Sequence, residues 1–222
     1  MILVGILDTK EIDFESLDLS VLPKEETERL HKMKNSEKKR DSFLSRLLLK
    51  KICEEYFQKE LPKIEYSEKG KPFFVNENMA FSISHDKNFA VVAVTDENNA
   101  IGVDIQSFGE ADEKKERIEK RFLTELDFKN SKCDFDFKKA CFELKEKEIE
   151  LKESSFSFYE NPKAEIDAFL EKWTSLEACL KLVACGFEGF TNVNKYLQKT
   201  KIKSVFLQHG GTCYALSIAI QK

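Results

Sequence analysis

The amino-acid order predicts an α+β protein, and three observations carry that class. A strong helical period runs over residues 36–58, three short apolar segments follow at 79–84, 89–95 and 100–106, and a second long helical stretch at 164–185 precedes two further strands. Strands and helices mix without the strict alternation that a doubly wound parallel sheet requires.

Residues 1–7 read as an apolar strand, and KEETERLHKMK (24–34) as a helix. In the helix of 36–58, Phe43, Leu44, Leu47, Leu48 and Ile52 recur on one face, with Lys38, Lys39, Arg40 and Arg46 elsewhere around the cylinder. Ser36 is the expected N-cap. Gly70-Lys71-Pro72 marks a turn. The three central strands are joined by HDKN and DENN, both turn-like. A charged helix is expected at 111–121 and a second at 124–130. Between 131 and 162, FELKEKEIELK fits neither period, whereas SSFSFYE alternates as a strand would. The helix of 164–185 meets Gly186, a C-cap residue, and Gly210-Gly211 joins strands 201–207 and 212–220 as a hairpin.

A chain of 222 residues with 41% hydrophobic content can bury a substantial core, as one large domain or two small ones. Charged residues make up 34% and the net charge is −4, which argues against a general nucleic-acid binder. The six cysteines form no CxxC pair and no Cys/His cluster with zinc spacing. The opening MILVGILDTKEID lacks a basic region and a long apolar run, and no stretch approaches the ~20 apolar residues of a membrane span. These features predict a cytoplasmic protein with reduced, mostly buried thiols.

Four groups of residues could carry chemistry. In IGVDIQ (101–106), alternation puts Gly102, Asp104 and Gln106 on one face and Ile101, Val103 and Ile105 on the other. An acid inside an apolar strand needs a partner, and either a metal ion or a lysine supplies it. In WTSLEACLK (173–181), Phe169, Leu176, Leu180 and Val183 share a core-facing arc, and Trp173, Glu177 and Lys181 run along its edge. Glu177 and Lys181 are there either a site or a surface ion pair. In FSISHD (81–86), Ser84 and His85 are adjacent on a strand and so point to opposite faces, which opposes a nucleophile and base. Anion binding and a structural histidine both suit them. The basic run KKRDSFLSRLLLKK (38–51) is either a solvated face or an anion surface.

Taken together and in order, FSISH, then GVDI, then W-x-x-x-E-x-x-x-K on a late helix resemble the 4′-phosphopantetheinyl transferases, of the larger surfactin-synthetase-activating type. Gly70-Lys71-Pro72 resembles that family's GKP turn, Arg46-Leu47-Leu48-Leu49 its basic R-x-L-L helix, and KRFLTELDF (120–128) its K-R-F-F segment. The resemblance spans roughly residues 36–190. It implies two similar α/β halves, 1–107 and 108–222, related by a pseudo-twofold with the active site between them. It also implies magnesium-dependent transfer of 4′-phosphopantetheine from coenzyme A to a serine of an apo acyl or peptidyl carrier protein, which is holo-acyl-carrier-protein synthase activity, by a monomer.

Residue by residue, the resemblance makes Asp104 and Glu177 magnesium ligands, with Glu177 or a bound water deprotonating the serine. Lys181 would neutralise the pyrophosphate and assist the leaving group. Ser84 and His85 would meet a coenzyme A phosphate, and Arg46 and Lys71 would hold its 3′-phosphoadenosine end. Two positions depart from the family pattern: Gln106 replaces a common acid and Leu176 a common lysine. Gln106 offers a neutral amide oxygen to the metal. The alternatives are a coenzyme A or carrier-binding module with decayed chemistry, and an unrelated hydrolase built on Ser84 and His85. Lys114, Lys115, Arg117, Lys120 and Arg121 form a basic run that could meet an acidic carrier.

Overall fold

The computed structural model describes residues 1–10, 12–97, 100–107, 113–124, 126–128, 131–145, 148–152, 157–162 and 165–222. The first strand, β1 (Ile2–Asp8), leads through two short 3₁₀ turns into helices α1 (Lys24–His31) and α2 (Ser36–Phe57). Asn35, not Ser36, caps α2, its side chain accepting from the Lys38 amide at 2.8 Å. A small hairpin follows, β2 (Ile64–Tyr66) and β3 (Pro72–Phe74), then β4 (Ala80–Asp86), β5 (Phe89–Thr95) and β6 (Ile101–Ser107). The expected charged helix is α3 (Glu113–Ile118), continuing as a π-helical turn over Glu119–Leu123; residues 111 and 112 lie outside the described residues. Of the helix expected at 124–130, the described residues 124 and 126–128 are not helical.

The ambiguous stretch resolves into strands β7 (Lys138–Lys145), β8 (Glu148–Lys152) and β9 (Ser157–Tyr159). Helix α4 (Glu165–Leu182) stops three residues short of the expected end, and the left-handed turn that closes it begins at Ala184, two residues before Gly186. A 3₁₀ stretch and the short helix α5 (Val193–Gln198) precede β10 (Thr200–His209) and β11 (Thr212–Gln221). None of the six cysteines is in a disulfide, and Cys53, Cys141 and Cys179 are buried. No helix among the described residues is long and apolar enough to cross a membrane.

Two sheets form the frame. One has the order β4-β5-β1-β7-β8, antiparallel except where β1 runs parallel to β7; the other has the order β6-β11-β10-β9 and is antiparallel. They stack face to face. Val4, Ile6, Val91 and Ala93 from the first sheet share one buried cluster with Val103, Ile105, Leu216 and Ile218 from the second. The outer face of the first sheet packs on α2 through Leu3, Leu7, Val92, Val94, Leu44 and Leu48. The outer face of the second packs on α4, with Ala215 and Ala219 against Phe169, Leu176 and Leu180. The layers therefore run helix, sheet, sheet, helix. A strand covered on both sides needs apolar residues at every position, which is why FAVVAVT shows no alternation and is buried throughout. The sheets also exchange strands across position 107: β6 joins the second, and β7 and β8 join the first.

Candidate active site

The site grows from the place where an edge strand of one sheet crosses an edge strand of the other. Among the described residues β6 pairs only with β11, so its outer amides need acceptors. β4 supplies them from side chains. Ser82 Oγ accepts from the Val103 amide at 3.1 Å, Ser84 Oγ from Ile105 at 3.3 Å, and Asp86 Oδ2 from Ser107 at 2.7 Å. Every second residue of β4 thus serves every second residue of β6, a side-chain ladder in parallel register.

Ser84 has a second role. Its hydroxyl donates to Asp104 Oδ1 at 2.9 Å, and Lys181 Nζ reaches the same oxygen at 2.7 Å. Asp104 is 1% exposed, and its other oxygen, Oδ2, is buried with no hydrogen-bond partner among the described residues. A carboxylate oxygen in that condition costs on the order of 1–3 kcal/mol or more, so the site favours an added cation or donor.

Helix α4 can come this close because residue 102 is glycine. A Cβ there would lie 2.0 Å from the Ala178 carbonyl oxygen and 2.7 Å from the Leu182 amide nitrogen. The contact sets the turn of α4 carrying Glu177 and Lys181 over the Asp104 face of β6. Glu177 is partly buried beside Asp104; desolvation first, and then the Asp104 charge, push its carboxyl up to about 7, against the opposing pull of Lys181. Leu176 lies in the core, and Trp173 packs against Phe122 at 5.9 Å between ring centres.

A cavity of about 280 Å³ opens beside this group, lined by Lys71, Pro72, Ser82, Glu177, Lys181 and Ala184 among others. Lys71 donates to two carbonyls, those of Ile101 and Leu182, each at 3.2 Å. It thereby ties the start of β6 to the last turn of α4, where carbonyls have no helical partner. Burial pulls its ammonium down to about 8. Among the described residues no carboxylate lies within ion-pair distance of it.

The other expected residues are placed differently. His85 points to the opposite face of β4 from Ser84, half exposed, with Nδ1 3.8 Å from Asp41 Oδ2 on α2. Gln106 is partly buried on the Asp104 face of β6, opposite Ala215. Arg46 is 4% exposed, and its guanidinium is spent on Glu26 and Tyr66, with Nε donating to Glu26 Oε2 at 2.8 Å and Nη2 to Tyr66 Oη at 2.9 Å. The side chain of Lys114 lies outside the described residues. Sequence reasoning missed Ser82 and Asp86 as acceptors for β6, although their even spacing with Ser84 was visible, and it missed Glu26 and Tyr66 altogether.

Among the described residues no cluster of three or more His, Cys, Asp or Glu side chains forms a ready metal site. The pair Asp104 and Glu177 nevertheless fits a single divalent cation: among the described residues an orphaned buried oxygen faces no donor, and beside it stands a second carboxyl whose pKa is raised by burial first and then by the Asp104 charge.

An α+β frame with two acids and two lysines converging at a cavity is the class that fold and site define. Residues 10–97 match a family profile described as 4′-phosphopantetheinyl transferase, N-terminal. The matched segment contains α1, α2, the β2–β3 hairpin, β4 and β5, and so includes Lys71 and Ser84. Among curated proteins, none matches the chain.

Proposed function

We propose that the protein transfers 4′-phosphopantetheine from coenzyme A to a serine of an apo acyl or peptidyl carrier protein. The observation that carries this reading is the convergence of Asp104, Glu177 and Lys181 beside a cavity lined by the Gly70-Lys71-Pro72 turn. Its chemistry suits a reaction whose reactants are densely anionic, and the family match over residues 10–97 supports it. The reading includes the surfactin-synthetase-activating subtype and two α/β halves related by a pseudo-twofold; each sheet carrying one long outer helix is what supports that symmetry.

In the reaction a serine oxygen forms a bond to the pantetheine-side phosphorus, and the bond from that phosphorus to the bridging pyrophosphate oxygen breaks. The products are a phosphodiester on the carrier and adenosine 3′,5′-bisphosphate. Glu177, or a water bound beside it, takes the proton of the attacking hydroxyl. Lys181, fixed by Asp104, puts a positive charge where the leaving phosphate gains a negative one. Lys71, already desolvated, requires no reorganisation to meet an anion in the cavity. A magnesium ion, held by Asp104, Glu177 and the Gln106 amide oxygen, would polarise the pyrophosphate oxygens and align the attack. The carrier is the expected partner.

The test is mass spectrometry of a panel of apo carriers incubated with protein, coenzyme A and magnesium. A gain of one phosphopantetheine, abolished by Asp104→Ala and Glu177→Ala in variants that remain folded, is the expected result. Full activity in both variants would overturn the site. Coenzyme A binding by calorimetry with no transfer to any carrier would favour a binding module instead.

A further inference from the structure

Arg46 sits in a closed triangle. Its Nε donates to Glu26 Oε2 at 2.8 Å, its Nη2 donates to Tyr66 Oη at 2.9 Å, and Tyr66 Oη donates back to Glu26 at 3.1 Å. Arg29 stacks on the Tyr66 ring at 4.9 Å, with its Nε 3.5 Å from the same Glu26 oxygen. Glu26 and Arg46 are each 4% exposed. Glu26, Arg46 and Tyr66, from α1, α2 and β2, thus bond to one another, while Arg29 Nε is buried with no hydrogen-bond partner among the described residues and stays in ion-pair range of Glu26; the bonded triangle holds one geometry because a half-made version is costly.

What this network holds is the β2–β3 hairpin. Tyr66 is the last residue of β2 and pairs with Pro72, the residue after Lys71. Between them the turn is cinched by Ser67: its amide donates to the Lys71 carbonyl at 2.9 Å, its hydroxyl accepts from the Lys71 amide at 3.0 Å, and its carbonyl accepts from the Gly70 amide at 2.8 Å. Gly70, at φ +81°, supplies the left-handed residue that the turn needs. A two-stranded hairpin of three-residue strands does not hold its shape unaided.

We infer that Arg46, with Glu26 and Tyr66, is a positioning residue: it anchors the β2–β3 hairpin so that Lys71 is presented to the cavity, and it does not itself contact the anion. The ligand in this inference is coenzyme A and so rests on the proposed function; the mechanical part does not. Truncation of any member releases the same strand end, so the effects of Arg46, Glu26 and Tyr66 are one effect expressed through Lys71.

The experiment uses Tyr66→Phe, which removes one hydroxyl from a partly exposed ring, together with Arg46→Lys, Lys71→Ala and the pairwise combinations. Hydrogen exchange of the full chain is the first readout. Both Tyr66→Phe and Arg46→Lys should speed exchange of amides in 64–74 by about ten-fold while β10 and β11 keep their protection. Coenzyme A kinetics are the second. Each variant should raise KM for coenzyme A by about five- to twenty-fold with kcat within about two-fold, and neither should add to the effect of Lys71→Ala. Unchanged hairpin exchange overturns the inference. So does an Arg46→Lys effect that Tyr66→Phe fails to reproduce, or one that multiplies with Lys71→Ala, since a direct anion contact by Arg46 produces those patterns. If the chain neither binds coenzyme A nor transfers, the proposed function fails, and the exchange readout alone decides the anchoring.

Discussion

The Ser84 hydroxyl donates to Asp104 Oδ1 at 2.9 Å, while its own oxygen accepts from the Ile105 amide at 3.3 Å. One hydroxyl therefore serves both the seam between the sheets and the acid at the site. Ser84→Ala leaves a buried amide and a buried carboxylate oxygen each short of a partner and should cost about 1–3 kcal/mol. Urea denaturation measures it; a change below about 0.5 kcal/mol would mean that water replaces the hydroxyl.

Glu177 offers a pH-dependent test. Its carboxyl is raised from an ordinary 4.5 to about 7 in the fold. Below 4.5 both folded and unfolded chains hold the proton, and the group costs nothing. Between 4.5 and 7 only the folded chain holds it, so stability falls as pH rises, and above 7 the cost is complete. With divalent ions removed, Glu177→Gln should stabilise the protein by about 1–3 kcal/mol at pH 8 and by little at pH 4.5. Denaturation curves at both pH values check this, and an equal effect at both would refute it. Magnesium should raise the midpoint of the parent protein at pH 8 more than that of Glu177→Gln.

Gly102→Ala should be among the most damaging single changes in the chain. The added methyl meets the backbone of α4 at 2.0 Å, which no side-chain rotamer can relieve. A loss of about 2–4 kcal/mol is expected, and transfer should fall further than the fraction unfolded because Glu177 and Lys181 move with the helix. Parent-like activity in folded Gly102→Ala would show that α4 can shift without consequence.

Ala184 adopts φ +56° at the end of α4, a left-handed conformation that disfavours any residue with a Cβ. Ala184→Gly should therefore stabilise by up to about 1 kcal/mol, offset in part by the freer unfolded chain. A thermal melt reads the sign, and a clear decrease would show that the methyl group packs usefully at the cavity wall.

Much of this fold is visible in the amino-acid order because local physics dictates it. The period of α2, the all-apolar β5 and the Gly210-Gly211 hairpin each follow from near neighbours. The segment around β7 and β8 is different. Charges at Glu143, Lys145, Glu148, Glu150 and Lys152 obscure its alternation, and β7 becomes a strand by pairing with the distant β1. At the site, the faces of IGVDIQ could be read from alternation, whereas the approach of α4 depends on a contact between Gly102 and Ala178 that no local pattern encodes. Arg46 looks like any basic residue on a helix until Glu26 and Tyr66 are seen to surround it.

The parallel pairing of β1 with β7 constrains how the chain comes into being. Val4 and Ile6 are made well before their neighbours Lys139 and Cys141, which follow 135 residues later in the chain. Until then one border of β1 stays open, and the segment already made waits with an unpaired, aggregation-prone strand. Chains cut or stalled after β6 would carry that exposed border together with a β6 deprived of β11, so such fragments should depend on chaperones where the whole protein does not.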